Sequence, residues 1–150
     1  MKIFVATDIK IQKYQGSYYA FGKYSTIFRR YFKSFGKFRL YARVIELKDY
    51  PRSLECIDDI LENVIPIMSL KKCLLGFEDK AILENLKDID MVVSRCPSAA
   101  GYRAATCARK LNVPYLAESM GCSWDDFWNH GVLGKLIAPY MYLKMKNILK

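Results

Sequence analysis

The sequence lacks the spacing patterns that metal sites and disulfide frameworks use. It contains one histidine, His130, and five cysteines among which no C-x-x-C pair occurs. An odd number of cysteines without paired spacing is typical of reduced thiols in a cytosolic protein, and it argues against a disulfide framework or a zinc site. Because His130 lies well past the nearest predicted strand, we interpret it as an ordinary loop residue and expect no metal.

Long apolar runs and glycine-rich fingerprints are also missing. No stretch approaches the ~20 apolar residues of a spanning helix, and the opening MKIFVATDIK has too short an apolar run for a signal peptide. No G-x-G-x-x-G occurs, and residues 131–135 read G-x-x-G-K without the longer spacing of a P-loop. We therefore expect residues 1–150 to form one cytoplasmic domain with a sizeable core, neither an integral membrane protein nor an NTPase.

Acidic residues are absent from one long segment, and this sets the charge of the chain. Between Ile9 and Ile45 there are nine lysines and arginines and no carboxylate, so this segment accounts for the whole net charge of +9. A weaker imbalance follows in residues 131–150, which hold four lysines and no acid. Such patches suit an anionic surface, whether phospholipid, nucleic acid or a phosphorylated substrate, and a solvated basic face without a partner is the open alternative.

Short apolar runs alternate with helical patterns along the chain. Aromatic residues from Phe21 to Phe35 recur at spacings of three and four, which predicts an amphipathic helix over residues 17–35. Further helices are predicted at 52–62, 77–88, 97–111 and from about 131, and strands at 3–6, 38–47, 64–67, 89–94 and 113–117. This alternation predicts an α/β fold, a Rossmann-like three-layer α/β/α domain with a mainly parallel sheet.

Ligands of such sheets bind beyond the carboxyl ends of the strands, which directs attention to the turns after Val5, Val93 and Ala117. The first of these turns contains Gly16. A single glycine before a helix lets a phosphate approach backbone N–H groups, and it serves equally well as a simple turn residue. Both interpretations of Gly16 stay open.

The second turn has the sequence RCPS between a predicted strand and a predicted helix. Cys96 and Arg103 form C-x6-R, one residue longer than the C-x5-R of cysteine phosphatases, and the intervening proline removes an N–H that a phosphate cradle would use. We therefore reject a nucleophilic cysteine. The free N–H groups of the helix start, together with Arg95 and Ser98, instead predict a noncovalent anion site. The open alternative is that Arg95 pairs with Asp90 or Glu118 and that Ser98 only caps the helix.

The third turn carries three carboxylates, Glu118, Asp125 and Asp126, directly after a predicted strand. Beside a cleft, such groups could orient sugar hydroxyls or accept a proton. The two aspartates could equally be first-turn acids of a helix that begins at Ser123.

Taken together, these residues resemble the amino-terminal domain of group 1 glycosyltransferases, the retaining enzymes of the GT-B fold, especially those of bacterial surface polysaccharides. The resemblance is carried by DMVVSRCPSAAG (90–101), by LNVPYLAESMGCSWDD (111–126) and by the tail from Gly134-Lys135 to Met145-Lys146. It covers residues 80–150 by motif and the first half only as a pattern of elements.

The resemblance implies half of a GT-B fold. In that family the first domain binds the acceptor and a carboxyl-terminal domain binds the nucleotide sugar. The family also adds a further strand and helix to the first domain, so the resemblance implies that residues 1–150 are an incomplete domain without activity of its own. It implies a nucleotide-sugar donor, a glycan or lipid-linked acceptor, a separate carboxyl-terminal donor-binding domain and no cofactor.

The resemblance also nominates site residues. Many family members have a histidine where this chain has Met120, so the role of that histidine does not carry over, and Glu118 and Asp125 are the candidates to act as catalytic residues in its place. Five residues are candidates for substrate binding, with the first facing the donor phosphates: Gly16, Arg95, Ser98, Ser119 and Gly121.

The basic helix predicted over residues 17–35 fits an acceptor that is carried on lipid. An Arg/Lys face with interleaved aromatic residues suits an anionic leaflet, so we expect peripheral association with the inner face of the membrane, although Phe21, Tyr24 and Phe28 could equally point into the core. The alternative function is a basic phosphate- or nucleic-acid-binding α/β domain without catalysis. Because no RNP, KH or helix-turn-helix pattern occurs, we expect no nucleic-acid partner.

Overall fold

A central sheet of seven strands organises the protein. The fold is that of a computed structural model, which describes residues 1–129 and 131–148, so the predicted loop residue His130 lies outside the described residues. The strands are β1 (Ile3–Tyr14), β2 (Ser17–Ala20), β3 (Phe38–Glu46), β4 (Glu55–Cys56), β5 (Leu61–Pro66), β6 (Met91–Cys96) and β7 (Tyr115–Ser119). The helices are α1 (Gly22–Phe35), α2 (Leu70–Leu74), α3 (Asp79–Asn85), α4 (Ala99–Lys110), α5 (Ser123–Trp128) and α6 (Gly131–Ile148).

Five of the strands are parallel and lie in the order β5-β3-β1-β6-β7. Numbered along the chain as parallel strands, this is 3-2-1-4-5, the order of a doubly wound Rossmann-like sheet. The fold class predicted from the sequence is therefore confirmed. The order reverses between β1 and β6, which makes the carboxyl ends of these two strands the topological switch point where such sheets bind ligands.

Strand β1 changes partner along its length. Its first four residues, Ile3 to Ala6, pair in parallel with β6, and its last residues, Gln12 to Tyr14, pair antiparallel with β2. The pairing with β3 shifts register between Ala6 and Lys10. Residues 7–9 therefore lie where β1 leaves β6 and the ladder is irregular, directly beside the switch point.

Helices cover both faces of the sheet. Side chains alternate along β1, so Ile3 and Val5 pack in the core beneath α1, and Phe4 and Ala6 pack in the core beneath α2, α3 and α4. A third cluster joins α6 to α4 and the edge of the sheet through Met141, Met145 and Ile148. Within the described ranges, no helix combines the length and apolar character needed to cross a bilayer.

Two predicted elements are wrong. The turn expected after Val5 is instead a continuation of β1, which forms a hairpin with β2 through Gln15 (φ 46°) and Gly16 (φ 88°). Positive φ at both central residues gives the turn the twist that a tight hairpin needs. Because residues 17–20 form β2, α1 begins at Gly22 and not at residue 17. The helix predicted over 52–62 is replaced by β4, a short 3₁₀ turn at Asp58–Ile60 and the start of β5.

Candidate functional site

A crevice of about 400 Å³ lies at the switch point, beside the carboxyl end of β6 and the middle of β1. The irregular part of β1 forms its floor and the turn between β6 and α4 forms one wall, while the loop after β7 and the start of α1 approach from the sides. We name this the switch-point crevice and define it by its lining residues: Thr7, Asp8, Ile9, Lys10, Gln12, Phe21, Tyr24, Arg43, Pro97, Ser98 and Met120.

The amino terminus of α4 faces this crevice and is already occupied by a carboxylate of the chain. The two oxygens of Asp8 accept hydrogen bonds from the backbone N–H groups of Ala99 and Ala100, each at 2.9 Å. Burial raises the pKa of Asp8, and the two N–H donors and the nearby Arg43 offset only part of that effect. The helix start therefore holds an internal anion at the position where the sequence predicted a bound one.

Ser98 caps the same helix from within. Its hydroxyl accepts from the N–H of Gly101 at 2.8 Å and donates to the carbonyl of Arg95 at 2.6 Å. This tight turn leaves no room above Gly101, where an added Cβ would lie 2.4 Å from the Arg95 carbonyl oxygen. Ser98 thus lines the crevice and also fixes the strand-to-helix turn.

Two cationic side chains, Lys10 and Arg43, line the crevice beside Asp8. They come from neighbouring parallel strands, because Lys10 of β1 is paired in register with Arg43 of β3. Gln12 also lines the crevice, and its Oε1 is one of two buried polar side-chain atoms without a hydrogen-bond partner in the described part of the chain. Cations beside an unsatisfied amide oxygen form a polar surface that suits a phosphorylated or hydroxylated ligand.

Arg95 is held beside the crevice in a buried ion pair. Its side chain is 3% exposed, and its Nε donates to Glu118 Oε2 at 2.9 Å. Tyr31 of α1 donates to the same carboxylate, and Arg30 lies 3.6 Å from its other oxygen. Burial, with the hydrogen bond to Glu118, raises the pKa of Tyr31 well above its usual range. The pairing of Arg95 with Glu118 is the structural alternative that the sequence had left open.

One guanidinium nitrogen of Arg95 stays unsatisfied. Its Nη1 is the second buried polar atom without a hydrogen-bond partner among the described residues, and its Nη2 contacts the sulfur of Met120. Met120 itself lines the crevice and is half exposed. The methionine therefore lies between the buried guanidinium and the open crevice.

The remaining candidates lie away from the crevice lining. Gly16 lies in the hairpin turn between β1 and β2, and Ser119 and Gly121 are exposed around the end of β7. Asp125 is exposed on α5, in a helix that begins at Ser123 as the alternative interpretation predicted. The structure thus groups Ser98 with the crevice and Arg95 with Glu118 beside it, and the functional roles of all seven candidates stay predictions.

Sequence reasoning missed the residues that dominate the crevice. The sequence pattern predicts a turn at Asp8, Lys10 and Gln12, and it identifies Arg43 only as part of a basic segment. The signal that could have found them is the polar alternation TDIKIQK, which is typical of a strand with one side facing solvent.

Cys96 does not have the environment of a nucleophile. It is 2% exposed, and burial raises the pKa of its thiol, which disfavours the reactive thiolate. The side chain packs with Met141 and Met145 of α6 and does not line the crevice. This geometry agrees with the rejection of a cysteine phosphatase.

Comparison with known proteins gives one informative similarity. The chain is 32% identical to protein CapJ of Staphylococcus aureus over 157 aligned positions, which cover all of this chain and 40% of CapJ. The chain thus spans well under half the length of this curated relative. No family model matches the sequence, and no solved structure matches it.

Proposed function

We propose that this chain is the acceptor-binding part of a glycosyltransferase that moves a sugar from a nucleotide sugar to a glycan acceptor, here one linked to lipid, in the synthesis of a surface polysaccharide. The observation that carries the proposal is the switch-point crevice, where a Rossmann-like sheet presents Lys10, Arg43 and Asp8 together. The similarity to CapJ over the whole chain supports a place within a longer bacterial protein.

The crevice suits the polar head of a sugar linked through phosphate. Lys10 and Arg43 supply positive charge to phosphate oxygens. Each oxygen of Asp8 accepts one backbone hydrogen bond and keeps a second lone pair for a sugar hydroxyl. Recognition would then combine cations for phosphate with a carboxylate for hydroxyl groups.

The catalytic part of the proposal concerns Glu118 and Asp125. The Glu118 carboxylate is engaged by Arg95 and Tyr31, which suits holding these groups at the edge of the crevice better than accepting a proton. Asp125 is exposed and open to a donor domain. In this proposal the nucleotide sugar is held by a carboxyl-terminal domain, in the same longer polypeptide or a separate one, and the complete enzyme works in the cytoplasm without a cofactor.

Binding of a polyprenyl-diphosphate-linked sugar to the chain tests the proposal. We would titrate ¹⁵N-labelled protein with a short-chain polyprenyl-diphosphate-linked N-acetylhexosamine and compare Lys10→Gln and Arg43→Gln with the control Lys37→Gln, an exposed lysine just after α1. Because a hydrogen bond to a charged group contributes about 1.5–3 kcal/mol, each crevice variant should weaken binding about tenfold or more. The control should bind like the unmodified protein.

Two results would contradict the proposal. Equal binding by the crevice variants and the control would remove the crevice as the acceptor site. Saturable binding of single-stranded DNA without binding of the sugar diphosphate would favour the alternative of a basic phosphate- or nucleic-acid-binding domain without catalysis.

A further inference from the structure

The helix predicted to lie on a membrane keeps its main aromatic residues inside the protein. Phe28 and Tyr31 of α1 are buried, and Arg29 is paired with Asp59 at 2.8 Å. Tyr24 and Phe35 are partly buried, and the aromatic residues classed as exposed are Phe21, just before α1, and Phe32 within it, at 48% and 38%. A larger group of exposed apolar side chains lies around α2 and α6, on the side of the sheet that α4 covers.

Three of them surround α2. Met68, Leu75 and Phe77 are 80%, 62% and 76% exposed. They are held close together because the carboxylate of Glu78, next to Phe77, accepts hydrogen bonds from the backbone N–H groups of Met68 and Ser69. A fixed loop thus presents three apolar side chains to solvent.

An apolar ridge of α6 continues this surface. A groove of about 460 Å³ separates α2 from α6 and is lined by Leu70, Leu74, Ile137 and Met141. Tyr140 and Leu143 follow Ile137 at successive intervals of three residues, and Leu136 lies four residues before Tyr140, so these exposed side chains form one ridge beside the groove. We name the six exposed residues Met68, Leu75, Phe77, Leu136, Tyr140 and Leu143 the α2–α6 surface.

The charges around the α2–α6 surface are cationic. Lys71 and Lys72 are exposed on α2, and Lys144 lies over the ring of Tyr140. The nearby carboxylates are engaged internally. Asp8, which also lines the groove, accepts from the backbone N–H groups at the start of α4. Glu78 is engaged by the hydroxyl of Tyr41 and the backbone, and Asp79 by Arg103 and Lys110. The surface therefore combines protruding apolar groups with uncompensated lysines.

We propose that the α2–α6 surface docks the protein onto an anionic phospholipid leaflet. Exposed Leu, Met and Phe side chains enter the boundary between headgroups and acyl chains, and adjacent lysines are drawn to anionic headgroups. The charge argues for lipid over an apolar protein partner, because interfaces between proteins are depleted in lysine. This inference stands apart from the sugar chemistry of the crevice, so either can fail without the other.

Co-sedimentation with vesicles tests the inference on the chain itself. The measured quantity is the partition coefficient onto vesicles of phosphatidylcholine alone and of phosphatidylcholine with phosphatidylglycerol. Lys71→Gln/Lys72→Gln should lower partitioning onto anionic vesicles about 30-fold, because each lysine near an anionic membrane surface contributes ~1 kcal/mol to binding. The matched control Lys33→Gln/Lys37→Gln removes the same charge from exposed positions on the other side of the sheet and should change partitioning less than about twofold.

An apolar variant separates insertion from charge attraction. Leu75→Ser/Phe77→Ser alters only exposed side chains, so it should keep the thermal unfolding of the unmodified protein and still lose most vesicle binding. The proposal would be overturned if Lys71→Gln/Lys72→Gln and Lys33→Gln/Lys37→Gln lost vesicle binding equally. It would also be overturned if Leu75→Ser/Phe77→Ser bound vesicles like the unmodified protein. The proposal would also be overturned if the protein bound no vesicles and formed dimers in analytical ultracentrifugation that the Leu75→Ser/Phe77→Ser variant loses. That result would assign the α2–α6 surface to contact with a second copy of the chain.

Discussion

Replacing Gly101 by alanine tests whether the turn from β6 to α4 is as tight as the structure indicates. An alanine Cβ at this position would lie 2.4 Å from the Arg95 carbonyl oxygen, 2.8 Å from Ser98 Oγ and 3.0 Å from the Arg95 carbonyl carbon. Two of these atoms belong to the backbone of a central strand, so they cannot move aside as a flexible side chain could. The strand, the cap or the helix must shift.

The expected loss follows from two opposing effects. Overpacking in a well-packed region costs about 1–3 kcal/mol, and the better helix propensity of alanine returns about 0.5–1 kcal/mol. We expect Gly101→Ala to lower the free energy of unfolding by about 1–2 kcal/mol. For a domain of this size, that corresponds to a decrease in Tm of roughly 2–8 °C.

Gly22→Ala is the matched control, because Gly22 begins α1 and its added Cβ would meet only the end of the Glu55 side chain, at 3.1 Å. Its free energy of unfolding should stay within about 0.5 kcal/mol of the unmodified protein. Urea denaturation followed by circular dichroism measures both variants. If Gly101→Ala is as stable as Gly22→Ala, the close approach of helix and strand at the crevice is wrong.

Two further predictions concern ion pairs. Glu118→Gln should lower the free energy of unfolding by about 1–3 kcal/mol, because Arg95 remains buried without its carboxylate. A double-mutant cycle with Arg95→Met, measured by urea denaturation, should give a coupling energy of about 1 kcal/mol or more between the two residues. Additive effects of the two substitutions would refute the pairing. Burial opposes ionisation of Asp79, yet its hydrogen bonds from Arg103 and Lys110 hold its pKa below the ordinary 3.8. The contribution of Asp79 to the free energy of unfolding is therefore present above about pH 4 and is lost as the pH falls through the lowered pKa. The loss of stability in Asp79→Asn, measured by urea denaturation, should be largest near pH 7 and should shrink near pH 3. A loss that does not change with pH would contradict this.

The sequence predicted the parallel strands well because each contains a short apolar run. Residues 38–47, 89–94 and 113–117 read as short apolar runs, and each became a strand of the central sheet within a few residues. The strand predicted at 64–67 is the last part of β5. Apolar runs of this kind carry their own signal, and their alternation with helical patterns was enough to predict the Rossmann-like class.

The prediction failed where tertiary contacts override local pattern. Residues 17–20 read as the start of a helix, yet pairing with β1 on one side and β4 on the other makes them a strand. Residues 52–62 hold helix formers, yet Asp58 accepts from the Tyr18 N–H at 2.7 Å and holds the segment in a non-helical turn. Neither stretch identifies its distant partner, because residues 19–20 pair with β4 at residues 55–56 and Asp58 lies 40 residues from Tyr18.

The position of Asp8 changes what kind of anion the crevice can bind. A phosphate at a helix amino terminus uses free N–H groups and the positive end of the helix dipole, and here the N–H groups of Ala99 and Ala100 already belong to Asp8. An anionic ligand must therefore be attracted by Lys10 and Arg43 and must tolerate a carboxylate beside it. In the proposed function, a ligand that brings hydroxyl groups to Asp8 and phosphate oxygens to Lys10 and Arg43 satisfies these three charged groups, whereas inorganic phosphate leaves the carboxylate opposed. This electrostatic pattern favours a sugar phosphate over a bare anion.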